Sequence, residues 1–134
     1  MKRLKSEHGA AAVEFALVLP LLLLLLLGIV EFGRVYNAQM QLTAAARDGA
    51  RVMTIGNPAA SAAEARAAAI ASAPALSPRI TPDQVAIKVS PSATGVCAPG
   101  SVATVTISYP LSFLSGIFGA GITLTGKGAM QCSV

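Results

Sequence analysis

From Ala10 to Val30 the side chains are apolar almost without a break, and Glu14 is the single ionisable group in those 21 positions. At about 1.5 Å per helical residue such a run reaches roughly 31 Å, the depth of one bilayer core. It predicts a membrane-spanning helix over 10–30. Beyond Glu31 no proline occurs before residue 58, and apolar residues recur at helical spacing: Val35, Met40, Leu42, Ala46, Ala50 and Met53. Arg47, Asp48 and Arg51 fall largely on other faces. The helix is therefore expected to continue past the lipid as a rod over 31–56. Gly56 is placed to cap it, and Asn57-Pro58 reads as a turn. A second, alanine-rich helix is expected from about Ala59 to Ser72, with Ser61 and Glu64 at the spacing of a capping box.

After a connector marked by Pro74, Pro78 and Pro82 the period changes from helical to two. In "QVAIKV" Val85, Ile87 and Val89 share a face. In "VATVTISYP" Ala103, Val105, Ile107 and Tyr109 do so, and in "ITLTGKGAMQC" Ile122 and Leu124 do so. Three such runs predict an antiparallel meander with its apolar face on the second helix or the rod. The fold class is thus α+β: a long N-terminal membrane-spanning helix continuing as a rod, a short second helix and a small three-stranded antiparallel sheet. The expected divisions are 1–9, 10–30, 31–56 and 57–134. "LSFLSGIFGAG", residues 111–121, is apolar but too rich in glycine for a stable helix. It reads either as a contact with the membrane or a partner, or as a hydrophobic loop folded over the sheet.

Composition agrees with a membrane protein: 54% of residues are hydrophobic and 12% charged. The net charge is +4, but its placement says more than its size. Lys2, Arg3 and Lys5 precede the apolar run, while Glu31 and Arg34 follow it and cancel. Basic flanks stay in the cytoplasm, so the chain after residue 31 is expected outside. No basic stripe or aromatic platform points to nucleic acid. The two cysteines, Cys97 and Cys132, fall in the exported part, where an even count favours a disulfide over free thiols. A bridge would close a loop of about 35 residues and contribute about 3–4 kcal/mol in the chain-entropy picture. A metal site is disfavoured, since the single histidine, His8, precedes the span. The exported acids, Glu31, Asp48, Glu64 and Asp83, are dispersed in sequence, and no phosphate-cradling glycine loop is present. No enzyme and no cofactor is expected.

A basic start before an apolar stretch also suits a cleaved signal peptide. The length of this run, the carboxylate inside it and the lack of a small-x-small site after it argue against that. A plain signal anchor explains neither Gly9 nor Glu14. The order of Gly9, four apolar residues Ala10-Ala11-Ala12-Val13, Glu14, then Phe15 and a long apolar helix resembles a prepilin. With "ALVLPLLLLLLLGIVEFGRVYNAQMQLTAAARDGAR" following, residues 9 to about 53 resemble the TadE family, pseudopilin-like components of the tight-adherence (Flp) pilus system. The resemblance implies cleavage after Gly9 by a prepilin peptidase, leaving Ala10 as the first residue. It also implies recognition and assembly through Glu14 and Phe15, and partners among pilin-like subunits, the inner-membrane assembly platform and the lipid bilayer. Phe15 departs from the tyrosine usual in the major Flp pilins.

A lone carboxylate at membrane depth costs on the order of 2.5 kcal/mol or more, less near the interface. Cleavage after Gly9 would create an amine on Ala10, one helical turn from Glu14, that offsets this cost within the chain or across to a neighbouring chain. Pairing between chains also fixes axial register. The competing reading is a glutamate that snorkels to the cytoplasmic headgroups. Pro20 is expected to kink the span.

Overall fold

The computed structural model describes residues 4–55, 62–92 and 94–133, with side chains from residue 7 onward. Lys2, Arg3, the side chain of Lys5, the Gly56 cap with Asn57-Pro58, and Ser61 of the expected capping box lie outside the described residues. The chain divides into two compact units, Met1–Arg34 and Val35–Val134.

A single helix, α1, runs Leu4–Ile55 and passes through Pro20. It starts inside the basic leader rather than at Ala10, because "LKSEHGAAA" contains good helix formers and no residue that stops a helix before Gly9. In the first unit the apolar side chains point outward. Leu17 is 72% and Leu21 68% exposed, and none of the most apolar window is buried in protein. Exposure of that kind is stable only where lipid replaces water. Arg34 donates from its Nη1 to Glu31 Oε2 at 3.2 Å, one turn apart, and Glu31 is itself buried. The two charges that follow the apolar run thus form an ion pair.

The second unit holds α1 from Val35 on, helix α2 (Ala62–Ala71), a 3-10 turn (Pro82–Gln84) and strands β1 (Val85–Ser90), β2 (Val102–Ser112) and β3 (Gly121–Gln131). The strands form one antiparallel sheet in the order β1-β2-β3, with Val85 opposite Ile107 and Val105 opposite Gly128. The period-two reading holds in detail on β2, where Ala103, Val105, Ile107, Tyr109 and Leu111 are buried and the residues between them are not. The outer sheet face is polar and carries Lys88, Thr104, Thr106 and Lys127, as an antiparallel sheet covered on one side requires.

The helical stripe needs correction. The buried face of α1 is Ala38, Leu42, Ala45, Ala46, Gly49, Ala50 and Met53, whereas Met40 is 57% exposed. At about 100° per residue Met40 stands roughly 200° from Leu42, on the far side of the helix. The face that packs is made of small residues, and β3 meets it with glycine. A Cβ on Gly126 would lie 2.5 Å from the Leu42 carbonyl oxygen, and one on Gly128 2.6 Å from the Ala46 carbonyl group. Gly49 does the same for α2, with Ala65 O and Ala69 Cβ each 3.1 Å from where its side chain would begin. Two hydrogen bonds fasten this packing. Gln39 Nε2 donates to Thr125 O at 2.8 Å, and Arg66 Nε donates to Val85 O at 3.1 Å. Tyr109, Leu42, Ile107 and Val105 are the largest fully buried side chains. Each of the aliphatic ones contributes roughly 1.5–3 kcal/mol of burial.

Candidate functional site

The amino-terminal positions singled out by sequence lie on one helix. Gly9, Ala10, Glu14 and Phe15 all belong to α1 and are all exposed. Nothing lies within 4 Å of the place a Cβ would take on Gly9. Glu14 is one turn beyond Ala10, about 6 Å along the axis, so the two stand on the same side of the helix. Glu14 makes no hydrogen bond or ion pair to any described residue. Phe15 is 63% exposed and directed away from any core. The geometry leaves a carboxylate on an apolar surface, next to the backbone nitrogen that cleavage after Gly9 would turn into a cation. The apolar side chains around it are exposed along a helix long enough to cross a membrane.

Residues 9–51 match the family model described as TadE-like protein. This segment of the chain is TadE-like. The TadE-like segment starts at Gly9, contains Glu14 and the whole apolar run, and ends at Arg51 on the helix that the sheet packs against. Helix α2, the sheet and both cysteines lie beyond the TadE-like segment. No curated protein and no solved structure gives a significant match to the chain.

The second predicted pair is joined. Cys97 and Cys132 form a disulfide with their Cα atoms 5.6 Å apart, spanning 35 positions. The Cys97 loop is prepared for it by Ser101, which is buried. Ser101 Oγ donates to Ala98 O at 2.6 Å and accepts from Ala98 N at 3.0 Å, while Cys132 N donates to Ser101 O at 2.8 Å. The bridge packs with Met53, Ala65, Val89 and Ala103 in a small cluster of its own. Ser101 escaped the sequence reading, although its position two residues past Pro99 and just before a strand is an ordinary place for a hydroxyl to close a turn.

The loop at 111–121 is placed as well. It is the connection between β2 and β3, closed by Phe113 N donating to Ala120 O at 3.2 Å. Of the two readings left by sequence, folding over the sheet is not what occurs. Leu114, Ile117 and Phe118 are 67%, 56% and 48% exposed. Gly116 and Gly119 hold positive φ angles of 64° and 107°, which is why glycine occupies both. Among the described residues no group of three or more His, Cys, Asp or Glu side chains is placed to hold a metal ion.

Proposed function

We propose that the protein is a pseudopilin or minor pilin-like subunit that acts without catalysis in Flp/Tad pilus biogenesis and thus in cell adhesion. It is cleaved after Gly9 by a prepilin peptidase, held in the bacterial inner membrane by residues 10–30, and carries residues 57–134 as a periplasmic domain. Residues 31–56 connect the two. The observation that carries this reading is the spacing of Gly9 and Glu14 at the start of a TadE-like match that itself begins at Gly9. Cleavage supplies the Ala10 amine, and Glu14 pairs with it in the same or a neighbouring chain, so that lipid faces a neutralised pair. Phe15 beside it offers an exposed aromatic surface to the next helix. The other partners are pilin-like subunits and the assembly platform.

N-terminal sequencing of protein extracted from membranes tests the first step: Ala10 as the first residue is expected, and Met1 refutes processing. A second reading, an unprocessed signal-anchored accessory protein, is favoured by one feature. Helix α1 is unbroken through Gly9, whereas a protease takes its substrate extended. Sequencing separates the two directly.

A further inference from the structure

We propose that the β2–β3 hairpin tip is a second membrane contact, seated in the outer interface of the bilayer that holds the anchor. This rests on the anchoring reading above. The argument starts from direction. Gln39 bonds Thr125, Leu42 meets Gly126, Ala46 meets Gly128 and Thr54 reaches Met130. Rising positions on α1 meet rising positions on β3, so within the second unit the two run in the same sense. The tip, which precedes β3, therefore lies at the end of the unit where the chain comes in at Val35. The disulfide lies at the other end, beside Met53. From Thr125 back to Gly121 the strand covers about 13 Å, while α1 from Gln39 back to Val35 covers about 6 Å. The tip thus extends at least as far as the residue at which the chain enters the unit, and the apolar run ends only a few residues before that point.

The chemistry of the tip suits an interface. No ionisable residue occurs from Pro110 to Gly126. Leu114, Ile117, Phe118 and Ile122 stand exposed on a backbone already set by two glycine turns, and Tyr36 at the same end is 62% exposed. Tyrosine and apolar side chains with no charge are what headgroup regions accept. The tip offers on the order of 400 Å² of apolar surface, about half of one face of a standard protein interface. That is too little to hold a second copy or a separate protein on its own. A tethered membrane needs no such area, because the covalent link keeps its local concentration high.

The chain contains no tryptophan, so a single introduced one reports its own surroundings. The full chain is reconstituted in phosphatidylethanolamine–phosphatidylglycerol vesicles with and without brominated acyl chains, as Phe118→Trp, Leu24→Trp and Val96→Trp variants. Disulfide formation, read by mass, certifies each fold, and Ile117→Trp replaces Phe118→Trp where that check fails. The expected result is blue-shifted emission quenched by bromine for Leu24→Trp and for the tip tryptophan, and unquenched emission for Val96→Trp. A quenched Leu24→Trp with a water-exposed tip overturns the proposal and leaves the anchor intact. A tip that is blue-shifted only at high protein density, without bromine quenching, assigns it to a second copy and overturns the proposal. Quenching of Val96→Trp overturns the placement of the tip as the membrane-facing end. Absence of quenching at all three positions refutes the anchor itself.

Discussion

Gly126 and Gly128 are the positions where a single methyl group does most damage. Each faces the α1 backbone, and neither Leu42 O nor the Ala46 carbonyl can swing aside as a flexible side chain would. Gly126→Ala is expected to cost about 1–3 kcal/mol by overpacking. In detergent micelles that should lower the midpoint of thermal unfolding, followed by circular dichroism, by about 4–8 °C per kcal/mol for a unit of this size. Gly33→Ala, with open space around the added group, should leave the midpoint unchanged or raise it slightly. Tyr109 is a different kind of site. Its ring is buried and its hydroxyl donates to Pro78 O at 2.7 Å, tying the connector to β2. Tyr109→Phe keeps the packing and loses that bond, and a cost of about 1 kcal/mol is expected in the same assay. Glu14 belongs to this scale too. Glu14→Gln removes the charge that the Ala10 amine is proposed to meet, so assembly should fall even where cleavage persists. Unchanged piliation in the variant would remove the role given to Glu14.

At the scale of elements, the disulfide holds the end of β3 to the loop before β2. Replacing both cysteines with serine should lower the unfolding midpoint by roughly 10 °C or more, since closing this loop contributes about 3–4 kcal/mol. A midpoint equal to that of the parent would show that the bridge constrains little. The strands were legible because alternation is a strong signal wherever one face is buried, and β2 fulfils it residue by residue. On the third strand the alternation was legible only as far as Leu124. Glycine carries no hydropathy, so the alternation does not mark Gly126 and Gly128, although they continue the inward positions of Leu124 by twos. On α1 the stripe was read partly through Met40, a large apolar residue that faces outward, while the packing face proved to be mostly alanine. Small residues mark that face by what they permit, a close approach of backbones, and hydrophobicity alone does not show it. The Gly9–Glu14 spacing was legible as a motif, yet a helix that begins at Leu4 was not, because the leader was read for its charge. The hairpin tip could be picked out by composition, but its direction along α1 depends on register that no local pattern contains.

For the whole molecule, the first unit exposes a long apolar helix, consistent with anchoring in a membrane, and the second is built around its own core. Among the described residues one helix is long and apolar enough to span a membrane. The protein is accordingly expected to stay in the pellet after alkaline carbonate washing and to enter solution only with detergent. A chain lacking 10–30 should be recovered in the soluble fraction, and its persistence in the pellet would place the membrane affinity elsewhere. The same comparison bears on the hairpin tip, because four exposed apolar side chains without the anchor supply weak, reversible attachment.

The sheet grips α1 through close backbone packing, the Gln39–Thr125 hydrogen bond and the bond from Thr54 Oγ1 to Met130 Sδ, and the disulfide does not include the helix. Because β3 and the helix point the same way, tension applied along the helix axis loads the steps at Leu42 and Ala46 together, in shear. A peeling force would open them one after another. Such an arrangement resists being drawn lengthwise much better than being prised apart sideways, and a subunit hauled out of a bilayer by its helix meets the first kind of load.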